Sequence, residues 1–191
     1  MIGLLPKTLT VNGKAYDIRT DFRDILRIML AFADDDLEPK DKAFVLMAQV
    51  YPDLSLIPKE DYQEAYLQAL AFVSCESVEH IKNDKKPKKP QVVDWEKDEM
   101  LLFPAINRVA GFEVRSVEYM HWWTFMGFFQ GINSDDTYGF ILSIRQKRAK
   151  HKKLEKYEQE FFNANRELCD LHFKTKKDID AEMLRIFGSG E

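Results

Sequence analysis

Cysteine is scarce: the 191 residues contain two, Cys75 and Cys169, far apart and outside any CxxC pair. They supply no disulfide framework, and a reducing, cytoplasmic setting fits them best. Histidine is also sparse, at positions 80, 121, 151 and 172, and only "CDLH", Cys169 to His172, places two ligands at a helix-compatible spacing. A structural zinc site needs four ligands and a catalytic one three plus water, so neither a metal nor any other cofactor is expected. Asp34, Asp35 and Asp36 lack the alternating ligands and glycine of a calcium loop and read as a solvated turn. The chain has no GxxxxGK[ST], no GxGxxG and no GxSxG, which removes the usual phosphate cradles and nucleophile elbow. Neither cysteine has a base nearby in sequence to make it a nucleophile. The sequence therefore predicts a protein that is not an enzyme.

Long hydrophobic runs are missing as well. The uncharged stretch between Glu118 and Asp135 is shorter than the roughly 20 apolar residues of a spanning helix, and it includes His121, Gln130, Asn133 and Ser134. The opening "MIGLLPKTLTV" has a short apolar run broken by Pro6 and no basic leader, so neither a membrane span nor a secretory signal is expected. The formal charge of −4 gives no general attraction to nucleic acid or anionic membrane. What is present is a globular composition, 45% hydrophobic with 31% charged, in a chain long enough to bury a core without staples.

Local patterns predict a mainly α, helical bundle-like domain with a small N-terminal β-hairpin. In "TLTVNGKAYDI" two strand-type runs flank Asn12-Gly13, the pair that best tolerates a type I′ turn. Thr20 or Asp21 caps a first helix, with the three aspartates after it leading into the next. Pro39 opens a second helix carrying Phe44, Leu46, Met47 and Val50, and Pro58 precedes a third. These fill residues 1–81. A flexible basic linker or loop is expected over 82–93, because "KNDKKPKKPQ" has no apolar residue. A C-terminal helical part follows over 94–175. In it Asp94 caps, Pro104 bends or interrupts, Gly111 terminates, Ser116 caps an aromatic helix, and Gly131 ends that helix in the left-handed conformation. A further helix from Asp135 or Asp136 runs into a charged helical stretch whose one side is marked by Leu154, Tyr157, Phe161, Leu168 and Leu171. Residues 176–191 read as a tail.

Two stretches are candidates for binding. "EYMHWWTFMGFFQGI" shows no continuous polar face at helical spacing, so its Trp122, Trp123, Phe125, Phe128 and Phe129 must be covered. A central core helix ranks first, an interface for self-association or a partner second, and a cofactor box last. In "RQKRAKHKKLEK" the cations Arg145, Lys147, Arg148, Lys150, Lys152, Lys153 and Lys156 precede glutamates that pair with them on a helix, Lys152 with Glu155 and Lys156 with Glu160. A solvated helix face ranks first there, a patch for an acidic protein partner second, and nucleic acid last.

"DWEKDE", "FPAIN", "HWWTF" and "SIRQK", within a match running from about Ile2 to Leu171, resemble a family of bacteriophage proteins named after gene product fifteen, found in tailed phages and prophages of Gram-positive bacteria. The match is weaker in the linker and the tail. Members resemble tail assembly chaperones in size and in their usual gene position between the major tail protein and the tape measure protein. The resemblance implies a tail assembly factor in the host cytoplasm that holds the tape measure protein and helps recruit the major tail protein. The alternatives are a structural tail component retained in the virion and, below it, a nucleic-acid binder using 145–156. No client-binding motif comes with the resemblance.

Overall fold

A computed structural model describes residues 3–83 and 91–171. Most of the expected 82–93 linker, His172 of "CDLH" and the 176–191 tail lie outside the described residues.

Strands β1 (Thr8–Val11) and β2 (Lys14–Asp17) form an antiparallel hairpin pairing Thr8 with Asp17 and Val11 with Lys14. Asn12 and Gly13 both take positive φ, 45° and 86°, as a type I′ turn requires. Helix α1 (Phe22–Ala33) starts on Asp21, whose carboxylate accepts the Arg23 N–H at 2.9 Å. Helix α2 (Pro39–Val50) has its proline at the first position, where a missing N–H costs nothing, and packs on α1. One-turn 3₁₀ segments lead into α3 (Tyr62–Ser74), against which the hairpin packs, and α4 (Val78–Asn83) follows. The second half comprises α5 (Glu99–Ala110), α6 (Trp122–Gln130), α7 (Thr137–Ala149), α8 (Lys156–Ala164) and the short α9 (Arg166–Cys169). The protein is mainly α with an N-terminal hairpin, as expected.

Residues on both sides of 84–90 enter one core. Val11 and Tyr16 from the hairpin, Ile25 from α1, Val50 from α2, Phe72 from α3, Ile106 from α5, Phe125 from α6 and Tyr138 from α7 belong to a single buried cluster. Each large side chain so buried contributes about 1.5 to 3 kcal/mol of transfer free energy. A second, smaller cluster of Ile141, Ile144, Phe162 and Cys169 holds α7, α8 and α9 together.

Several local expectations are corrected. Phe44 is 66% exposed, because the buried face of α2 consists of Leu46, Met47 and Val50. Asp34 is the C-cap of α1 and its carboxylate accepts the Asp36 N–H at 2.8 Å, so the aspartates close their own turn and Glu38 stands at the start of α2. Pro104 lies inside α5 without ending it. The single bond it forgoes is to the carbonyl of Met100, an 80% exposed residue that water can reach. Ser116 closes a 3₁₀ turn, and the aromatic helix starts six residues later. Gly131 has φ −77°, right-handed. Glycine is needed there for space, since a Cβ would stand 2.8 Å from Val109 Cγ1.

The charged stretch is not one helix. Beyond Ala149, His151 takes φ 53°, with Lys152 N–H donating to Lys147 O (2.8 Å) and His151 N–H to Arg148 O (2.9 Å), a Schellman ending. The chain restarts at α8, where the Glu158 carboxylate accepts the Glu155 N–H at 2.9 Å. The expected one-sided stripe fails with it: Tyr157 is 60% exposed, while Phe162 and Cys169 face inward.

Candidate functional site

The aromatic run is placed by two helix starts laid side by side. Trp122 N–H donates to Thr20 O (2.7 Å) and Phe22 N–H to Met120 O (3.0 Å), an antiparallel bridge between Asp21 and His121, the caps of α1 and α6. This pairing holds His121 extended and delays the helix to Trp122. His121 is buried, and Trp123 N–H donates to its Nδ1 at 3.0 Å. That nitrogen is therefore an acceptor, so Nε2 carries the hydrogen and donates to Pro6 O at 2.9 Å. A neutral His121 thus ties the N-terminal segment to α6 with both ring nitrogens engaged. Next to it, Phe22 and Phe125 stack with centroids 4.6 Å apart.

From this start the two tryptophans diverge. Trp122 is fully buried, donates its indole N–H to Val73 O at 2.8 Å, and stacks on Phe125. Trp123 is 36% exposed, donates to Phe72 O at 2.9 Å, and lies over the Phe72 ring at 6.0 Å. Phe125 is buried, and Phe128 and Phe129 are half-buried against Phe112 and Trp95 respectively. The run is thus mostly core, with one face left open.

That face walls a groove of about 360 Å³ between the N-terminal segment, α3 and α4. Pro6, Leu9, Phe72, Val78 and Trp123 supply its apolar lining, and Glu64, Glu76, Glu79 and Lys82 its charge. Glu64 accepts from Gln68 (2.8 Å) and Lys82 (3.2 Å), which together hold its carboxyl below the usual range. Cys75, half-buried, has φ 55° and ends α3 as its left-handed cap. Burial, then the neighbouring Glu76, pushes its thiol up to about 11, so it is protonated at neutral pH. Burial pushes up the Cys169 thiol as well.

The basic stretch is dispersed by the fold. Arg145 is 4% exposed and pairs with Asp98 through two bonds of 2.5 and 2.8 Å, while also donating to Val92 O and Leu168 O. Tyr138 OH and Asp94 N–H complete the Asp98 shell. Burial and then Asp98 push the Tyr138 phenol up, fixing it as a donor. Arg145 therefore leaves the surface patch, because it is the tie between α7, the start of α5, the 91–94 segment and α9. Lys147 binds Glu158 at 2.6 Å, and Arg148 reaches Asp170 at 3.1 Å and covers the Phe162 ring. Lys150, Lys152 and Lys153 remain exposed. Among the described residues neither expected pair forms: Lys152 and Glu155 fall in the break between α7 and α8, which removes their helical registry, whereas Lys156 and Glu160 keep theirs on α8 without coming into ion-pair contact.

Sequence reasoning missed Phe72 and Asp98. Phe72 follows Ala65 and Ala69 at helical spacing, a signal that was there to be read. Asp98 pairs with a residue 47 positions away and carries no local signal. Among the described residues no three His, Cys, Asp or Glu side chains converge as a metal site, and no helix is long and apolar enough to cross a membrane.

No curated protein and no solved structure matches the chain. The family described as Bacteriophage Gp15 protein matches residues 1–171, the whole span that carries the hairpin, the aromatic helix and the Arg145 tie. The chain therefore belongs to the bacteriophage Gp15 protein family.

Proposed function

We propose that this phage protein is a non-enzymatic tail assembly factor, a chaperone that binds the tape measure protein in the host cytoplasm and helps recruit the major tail protein. Family membership supports a phage role, and the gene position usual in that family supports a role in tail assembly. The observation that carries the binding role is the contrast between neighbouring tryptophans. Trp122 is closed into the core, whereas Trp123 keeps 36% of its surface at a groove floored by Phe72. Rigid aromatic anchors at partly open, apolar grooves are the usual seat of a helical client.

Co-expression with the tape measure and major tail proteins, followed by affinity capture, tests the proposal. Recovery of soluble tape measure protein only in the presence of this chain supports it; normal solubility without the chain and no co-capture reject it. Mass spectrometry of purified particles separates the rival role, since abundant copies in the virion would make the protein a structural tail component. Nucleic-acid binding by 145–156 has less to stand on, because Arg145 is buried and Lys147 and Arg148 are already paired.

A further inference from the structure

The turn at His151 folds the chain back between α7 and α8 and leaves a concave surface of about 1040 Å³. Two of its lining residues are apolar and inward: Phe162 is buried and Leu154 half-buried, both in the smaller core. Lys152, Lys153 and Lys156 line it too, all exposed, and none enters an ion pair among the described residues. Arg148, also in the lining, is occupied by Asp170 and the Phe162 ring. Three ammonium groups without an ion pair among the described residues thus stand around the half-buried Leu154.

We propose that this concavity docks an acidic amphipathic helix of a partner protein. An apolar side chain of the partner sits against the half-buried Leu154, beside the Arg148 guanidinium that covers Phe162, and its carboxylates reach Lys152, Lys153 and Lys156. Charge complementarity sets the sign of the partner. Glu155 and Glu160 in the same lining argue for a protein over a nucleic acid, because an evenly charged phosphate backbone would be laid against both carboxylates. The surface is separate from the Trp123 groove and does not depend on the tape measure protein being the client.

Fluorescence anisotropy with the full chain tests it. The probe is a labelled amphipathic helical peptide of about four turns, with a leucine stripe flanked by glutamates. A second peptide has serine in place of leucine, and a third probe is single-stranded DNA. Saturable binding of the leucine peptide, weakening as salt rises, is expected. The triple variant Lys152→Glu, Lys153→Glu, Lys156→Glu should weaken it about tenfold or more, and the serine peptide should bind more weakly by a similar factor. If charge reversal perturbs folding, the variant Lys152→Gln, Lys153→Gln, Lys156→Gln gives the same reading with charge removed alone. No saturable binding, equal binding by the variants or by the serine peptide, or tighter binding of DNA would each overturn the proposal.

Discussion

Replacing Trp122 by alanine probes the heart of the fold. The side chain is fully buried, stacked on Phe125 and in contact with Trp95, so its removal leaves a cavity between α3, α6 and the segment that carries Trp95. Large-to-small changes of this kind cost about 3 to 5 kcal/mol. The indole N–H is also the donor to Val73 O, one of the final carbonyls of α3 that lack a helical partner. Leaving that acceptor unpaired adds about 1 kcal/mol or more. The sum, on the order of 5 kcal/mol, is a large fraction of the roughly 5 to 15 kcal/mol that holds a domain folded. Urea denaturation followed by circular dichroism measures it as a lowered midpoint at unchanged slope. Trp123→Ala is the paired control: with a third of its surface already in water and Phe72 O still bonded to the Cys75 N–H, it should cost about 1 to 2 kcal/mol. Equal midpoints for wild type and Trp122→Ala, or a larger loss for Trp123→Ala, would refute the reasoning.

Arg145→Ala strands the buried Asp98 and should cost about 3 to 5 kcal/mol, whereas combining Asp98→Leu with Arg145→Met should cost less than the two single changes added, as a double-mutant cycle in urea will read. Gly139→Ala would drive a Cβ into the backbone carbonyl of Asn133 and should lower stability by about 1 to 3 kcal/mol; Gly131→Ala clashes only with the Val109 side chain, the carbonyls of Phe128 and Gly127 standing at ordinary contact distance, and should be rescued by Val109→Ala in thermal melts. Bonds from Arg115, then from Asn107, hold the Glu113 carboxyl at about 2, below its ordinary 4.5. Its contribution is therefore complete above pH 4.5 and lost as pH falls toward 2, so the melting-temperature gap between wild type and Glu113→Gln should be widest at neutral pH and close across that window.

Where local chemistry decides the backbone, the sequence was readable. Asn12-Gly13, Asp21, Pro39, Gly111 and Asp136 each act within a few residues, and each stands at the turn or helix end it implied. Failures came where distant partners decide. Ser116 lost the cap of the aromatic helix because residues 120–122 are pinned to 20–22, almost a hundred positions earlier. The charged stretch after Ala149 contains good helix formers with neither glycine nor proline, so propensity reads it as continuous. Its break rests on Glu158, which joins Lys147 of one helix to the Glu155 N–H of the next. The same applies to the binding surfaces. That the aromatic run must be covered was legible, but its division into a closed Trp122 and an open Trp123 depends on α3. Arg145 could not be told from the surface lysines around it without Asp98.

Capture of the tape measure protein by wild-type and Trp123→Ala chains, matched for folded fraction, tests the proposed role most directly. Retention by the wild type with clear loss in the variant is the predicted result. Equal retention by both would remove the Trp123 groove as the client site, and no retention by the folded wild type would contradict the assembly role itself.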